Sequence, residues 1–200
     1  MRFIDSIYCF VNDFNNISKV IYQTSHRQIL SEDLVLAVIS AEDRYFLDHQ
    51  GVSFKSIIRA LIKKHGGAST INMQLVRVLT QRYEVSMKRK IREAIMSLLI
   101  DFKFSKVDIL QAYLCHSYFG VGMIGITSVL NDFFAGKGIS DLKFLECCFI
   151  ASMLKRPAPK EISIDWALRI NNRICHIQRI IYINEGNMRS KIKLYLQKDK

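Results

Sequence analysis

Ser31-Glu32-Asp33-Leu34-Val35-Leu36-Ala37-Val38-Ile39-Ser40-Ala41-Glu42-Asp43 is the stretch that decides the fold class. Ser31 is a helix-capping residue type, and Glu32 and Asp33 put negative charge in a first turn, where the helix dipole favours it. Leu34, Val35, Val38 and Ile39 follow at helical spacing and form an apolar stripe. The pattern stops near Glu42-Asp43-Arg44. The same grammar recurs along the chain. Ser53 can cap a second helix through Ile57, Ile58, Leu61 and Ile62, followed by the loop His65-Gly66-Gly67. Ser69-Thr70 opens a third, with Ile71, Leu75, Val78 and Leu79 on one face. A fourth runs from about Ser86, where Met87, Ile91, Ala94, Ile95, Leu98 and Phe102 recur at helical spacing. Ser105-Lys106-Val107-Asp108 resembles a capping box and opens a fifth to about His116.

Beyond it, Gly120, Gly122, Gly125, Gly136 and Gly138 leave room for short helical pieces. Ser140 caps a further helix through Cys148 and Leu154, stopped by Pro157 and Pro159. Asp165 caps a last helix, about residues 165–183. Its core stripe is Trp166, Ile170, Ile174, Ile177 and Ile181, and Arg169, Arg173 and Arg179 are left to solvent or a charged surface. Residues 1–28 are mixed and assign no element, and no strand signal exceeds a few residues. The reading is an all-α, mainly helical single domain over residues 1–200, with a motif-bearing core at about 31–160.

Bulk composition agrees. Two hundred residues suit one real core, and 50% hydrophobic with 24% charged residues excludes a disordered chain. A net charge of +11 implies an anionic partner: nucleic acid, anionic lipid headgroups or a pyrophosphate-bearing substrate. Five cysteines without a C-x-x-C spacing argue against a disulfide framework or a structural zinc site and read as buried thiols. Asp5 interrupts the short apolar stretch at the N-terminus, so neither a signal peptide nor an anchor is legible there. Uninterrupted apolar runs, such as Ala94–Met96 and Leu98–Ile100, fall far short of a membrane span.

Three groups carry chemistry. Glu42-Asp43 lies at a helix end, where the dipole disfavours negative charge and so favours a proton-accepting carboxylate. The alternative is a solvated acidic end pairing with Arg44. Gly66-Gly67-Ala68-Ser69-Thr70 leads into a helix start, a natural anion site, though without the Gly-Lys-Ser/Thr ending of a Walker loop. Gln74 and Arg77 share the face of Thr70. Arg89, Lys90 and Glu93 put two cations beside one carboxylate, either a solvated face or a phosphate-binding pair with a carboxylate held ionised. Gly120-Val121-Gly122-Met123-Ile124-Gly125 matches G-x-G-x-x-G, but no βαβ pattern surrounds it and the dinucleotide reading fails.

Taken together, these residues resemble the peptidoglycan glycosyltransferase family, the transglycosylase domain of bifunctional penicillin-binding proteins. Glu42-Asp43-Arg44-Tyr45-Phe46-Leu47-Asp48-His49-Gln50-Gly51 is similar to the family's E-D-x-x-F-x-x-H-x-G run. Gly67-Ala68-Ser69-Thr70-Ile71-Asn72-Met73-Gln74-Leu75 resembles G-x-S-T-I-x-x-Q-L, and Arg89-Lys90-Ile91-Arg92-Glu93 resembles R-K-x-x-E. Ile109 to Leu114, then Leu145-Glu146 through Pro159, resemble the fourth and fifth motifs. The resemblance implies a lysozyme-like, two-lobed fold with a central cleft. It implies a lipid-linked disaccharide-pentapeptide substrate, lipid II, added to a nascent glycan strand with inversion and release of undecaprenyl pyrophosphate. Glu42 and Glu93 become the catalytic positions, and Asp43, Phe46, His49, Ser69, Thr70, Gln74, Arg77, Arg89 and Lys90 the substrate-binding ones.

No cofactor is required; a divalent cation, magnesium or manganese, is an option at the pyrophosphate, although no metal-ligand cluster is legible. The expected location is the periplasmic face of a bacterial inner membrane, held peripherally on anionic lipid, with other cell-wall synthesis proteins as partners and no nucleic acid. Departures from the pattern are Arg77 for lysine, Val78 for asparagine, and Gln111-Ala112-Tyr113-Leu114-Cys115 for E-x-Y-L-N. The alternatives are a lysozyme-like glycan hydrolase, for which the pyrophosphate-binding cations would be idle, and a catalytically impaired lipid II-binding regulator.

Overall fold

The computed structural model describes residues 2–27, 30–53 and 69–198. The helix expected after Ser53 and the loop at residues 65–67 lie outside the described residues. The described part is all-α apart from one short hairpin. It divides into two compact units: one takes the described residues within Met1–Gln28 and Asp48–Tyr113, the other those within Ile29–Leu47 and Leu114–Lys200.

The first unit contains α1 (Arg2–Thr24), α3 (Ile71–Thr80), α4 (Met87–Lys103) and most of α5 (Lys106–His116). Here α1 is a finding, since residues 1–28 assign no element on sequence. Ile17 and Ile21 anchor its C-terminal half in the core, while Ile4, Ile7, Tyr8 and Val11 are exposed. An apolar stripe broken between two ends gives no continuous period to read. Helix α3 starts where expected: the Thr70 hydroxyl accepts from the Met73 N–H at 3.2 Å, and Gln81 ends the helix in the left-handed region. Helix α4 starts with Ser86 accepting from the Arg89 N–H at 3.1 Å. Its apolar period is as read, yet that face is uncovered: Met87, Ile91, Ile95, Leu98 and Phe102 are all exposed, Phe102 at 94%. The buried face is Arg89, Glu93, Met96, Ser97 and Ile100.

In the second unit α2 (Glu32–Glu42) packs between α7 (Phe144–Met153) and α8 (Ile164–Lys198). Ser31 caps it, accepting from the Leu34 N–H at 3.3 Å. Every residue from Leu34 to Ser40 is buried, so α2 is enclosed on all sides and not only along the expected stripe of Leu34, Val35, Val38 and Ile39. On α7, Cys147 and Cys148 face into this packing, and burial pushes both thiols up to about 12. Not every cysteine is buried, however, because Cys175 is exposed.

Two boundaries differ from the sequence reading. Ser140 sits in a 3-10 turn, Ile139–Asp141, and α7 begins only at Phe144, where Glu146 accepts from the Lys143 N–H at 2.7 Å. The intervening Leu142 is buried, so the chain runs extended to place it before the helix starts. Helix α8 is capped by Ser163, which accepts from the Trp166 N–H at 3.2 Å, with Asp165 inside the first turn. It also runs on to Lys198, well past residue 183, because Met188 and Ile192 continue the buried stripe of Ile170, Ile177 and Ile181. The glycine-rich segment makes the hairpin of β1 (Tyr118–Gly120) and β2 (Met123–Ile124), followed by α6 (Ile126–Phe134). No dinucleotide-type βαβ unit is present among the described residues. Gly125, at φ 79°, lies where a Cβ would fall 2.4 Å from the Cys115 carbonyl, so its glycine is steric.

Candidate active site

In the second unit, α2 delivers Glu42 at its last position and Asp43 as the residue that ends it. The Asp43 N–H donates to the Ile39 carbonyl at 2.9 Å, and the Phe46 N–H donates back to the Asp43 carbonyl at 2.9 Å. This tight exit buries Asp43 and drives the Phe46 ring to 1% exposure, so Phe46 anchors the turn. Glu42 is not a solvated helix end. Its side chain keeps 8% exposure, and Arg173 of α8 lies 3.5 Å from its Oε1. Arg173, expected to be left to solvent or a charged surface, is thus turned onto α2, while Arg169 does stay exposed and pairs with Asp165. The terminal carbonyls of α2 disfavour an anion at Glu42, and the guanidinium favours it.

In the first unit, Glu93 is the centre. It is 2% exposed. Arg77 of α3 grips it with both ends of its fork, Nε to Oε1 at 2.9 Å and Nη2 to Oε2 at 3.0 Å, and Arg89 donates to the same Oε1. Those hydrogen bonds to Glu93 hold Arg77 more firmly protonated than an ordinary arginine. Arg89 is itself buried and also donates to the Glu84 carbonyl. Lys90, expected beside Glu93, is exposed and forms no ion pair with any described residue. The second cation is Arg77, from another helix, because position 89 faces inward on α4 and position 90 is turned about 100° away.

In the second motif the described residues Thr70 and Gln74 make structural contacts. Thr70 is 1% exposed; it caps α3 and donates to the Gly51 carbonyl at 2.7 Å. Gly51, at φ 74°, is pressed on the backbone of Ser97, so the end of the first motif, the start of the second and the middle of α4 are locked together. Gln74 accepts from the Tyr113 hydroxyl at 3.0 Å, and Ser69 is half-buried just before the cap. His49 is half-buried, and its carbonyl accepts from Lys106 Nζ at 2.7 Å; the same ammonium reaches Asp101, which accepts from Asn72 at 3.0 Å.

Beside Arg89 lies a cavity of about 210 Å³, bordered by Arg82, Lys88, Arg89 and Arg92 together with Cys9 and Glu84. Asp13 of α1 accepts from Arg92 at 2.7 Å and from Arg82 at 3.3 Å. Arg82, Arg92, Asp13 and Arg173 are the residues the sequence reading missed. Arg92 stands inside the quoted R-K-x-x-E run and was within reach. Arg173 was not, lying 131 residues from Glu42. Among the described residues no three His, Cys, Asp or Glu side chains converge as metal ligands. A cation-rich setting of this kind does not fit a protein-held divalent ion.

Residues 13–179 match the family described as Transglycosylase. Penicillin-binding protein 1A of Rickettsia felis is 36% identical over 138 residues, which is 64% of this chain and 17% of that protein. Penicillin-binding protein 1A of Clostridium tetani is 32% identical over 162 residues, 74% of this chain and 20% of that protein. The chain therefore spans about a fifth or less of these relatives. The match covers α2 with Glu42, α3 with Arg77, and α4 with Arg89 and Glu93. With its all-α architecture, the chain belongs to the transglycosylase family.

Proposed function

We propose that this chain is a peptidoglycan glycosyltransferase that polymerises lipid II into glycan strands. The observation that carries the reading is the buried Glu93 held between Arg77 and Arg89, next to a cavity bordered by four cations. A leaving pyrophosphate gains negative charge as its bond to the anomeric carbon breaks, and preorganised guanidinium groups stabilise that charge most where water is excluded. A glycan hydrolase would have no use for them. Glu42 is the general base: it accepts the proton of the acceptor sugar's 4-hydroxyl, and that oxygen attacks the anomeric carbon of the growing donor strand. The new C–O bond forms as the bond to undecaprenyl pyrophosphate breaks, in one displacement with inversion. Glu93, already bonded to two arginines, serves to aim them. In this reading charge neutralisation at the pyrophosphate belongs to the arginines, with Lys90 reaching it from the surface.

An anionic membrane surface is the second partner. The exposed apolar face of α4, from Met87 to Phe102, runs along a helix that also carries Lys88, Lys90 and Lys103, the pattern of an interfacial helix. No helix of the described residues is long and apolar enough to cross a membrane.

Fluorescently labelled lipid II, with products separated by chain length, tests the reading. Polymer is expected from the unsubstituted chain and a loss of at least about 100-fold from Glu42→Gln. Shortening of preformed glycan without polymer would identify a hydrolase instead, and binding of lipid II without turnover a regulator.

A further inference from the structure

Arg173 donates through a single nitrogen, Nη2, to the Ala41 carbonyl at 2.6 Å and stands 3.5 Å from Glu42 Oε1. Ala41 is in the last turn of α2, where carbonyls have no helical partner of their own. One cation therefore serves both the helix end and the carboxylate that the helix end disfavours. Both groups are well shielded, Glu42 at 8% exposure and Arg173 at 21%, so their interaction is weakly screened. The helix that carries the arginine is fixed by the buried Ile170, Ile177 and Ile181. We propose that Arg173 is a positioning residue for Glu42, which ties down the last turn of α2 and keeps the carboxylate ionised and aimed as the proton acceptor. This rests on Glu42 being the general base.

The surroundings set the size of the effect. Asp43 and Arg44 follow Glu42 in the chain, and His176 and Arg179 share α8 with Arg173. Partial burial, then the charges of Arg173, Arg44 and Arg179, hold His176 below its usual range, so it is neutral near pH 7. From α7, Cys147 and Cys148 lie beside Asp33, at the other end of α2 from Glu42, as neutral thiols.

Two measurements on the whole chain test this. With ¹³C-carboxyl-labelled glutamate, and Glu42 assigned through Glu42→Gln, NMR titration of Arg173→Gln is expected to move the Glu42 midpoint upward. With labelled lipid II, the same variant is expected to lose about tenfold in kcat at pH 7. KM should be nearly unchanged, and the acidic limb of the kcat–pH profile should shift up. Arg173→Lys, which keeps the charge, is expected to restore the profile in part. A Glu42 midpoint and a profile that ignore Arg173→Gln overturn the proposal. If the unsubstituted chain makes no polymer, the titration still decides: a moved midpoint leaves the role of Arg173 standing and it is the polymerase reading that falls. Should Arg173→Gln fail to fold, the unsubstituted chain answers. Its Arg173 guanidinium ¹⁵N resonance must follow the Glu42 midpoint with pH and stop doing so in Glu42→Gln; a resonance indifferent to Glu42 overturns the proposal.

Discussion

Glu93 accepts from Arg77 on both oxygens and from Arg89 on one, at 2% exposure. A buried carboxylate with two guanidinium partners is costly to disturb, because removing its charge leaves two cations facing each other. Glu93→Gln is expected to lower stability by about 3–5 kcal/mol, read from urea unfolding, and to reduce polymerisation even in the folded fraction. Gly51 is a second sensitive position. A Cβ there would lie 2.3 Å from the Ser97 carbonyl oxygen, at a φ of +74° that side chains rarely adopt. Gly51→Ala should cost at least about 1–3 kcal/mol, seen as a lower thermal midpoint by circular dichroism. The departure at Gln111 has a simple basis as well: its amide donates to the Ser25 carbonyl at 3.0 Å, which an ionised glutamate cannot do. At this scale the sequence was informative about Glu42, Glu93, Arg77 and Arg89, because motif order singles them out. It could not give their pairing. Lys90 and Arg89 look alike as neighbours in sequence, and only the rotation of α4 decides which one meets Glu93.

Helix starts were the most legible elements. Ser31, Thr70 and Ser86 each accept the expected N–H, since a cap is a local bond between residues two or three apart. Apart from the starts of α7 and α8, which Ser140 and Asp165 do not cap, what failed was non-local. The stripe on α4 has the right period and no cover, because periodicity identifies a face without saying what lies against it. The length of α8 escaped for the same reason: its last turns exist to meet α2. Arg189 pairs with Glu32 and Asp33, Ile192 is fully buried, and the Tyr195 hydroxyl donates to the Leu47 carbonyl at 3.1 Å. Ile192→Ala is expected to cost about 2–5 kcal/mol in chemical unfolding. As Ile192 lies beyond residue 179, a loss of that size would show that the helical extension is part of the folded second unit.

For the molecule as a whole, the charge of +11 and the exposed face of α4 point to the same partner. Binding to vesicles containing phosphatidylglycerol should weaken as sodium chloride is raised, and Ile91→Ser with Phe102→Ser should reduce it by about tenfold or more. Cosedimentation measures both; binding that is insensitive to salt and to these substitutions would remove the membrane from the picture. The way α2 is enclosed has a further consequence, in the order of events. Its apolar residues are synthesised before the helices that cover them, α7 and α8, which follow more than a hundred residues later. Until α8 is complete, the segment that carries Glu42 is an apolar stretch without a home, and contacts of such long sequence separation form slowly. In a nascent chain this segment therefore waits for α8, and the docking of that helix on α2 ends the wait.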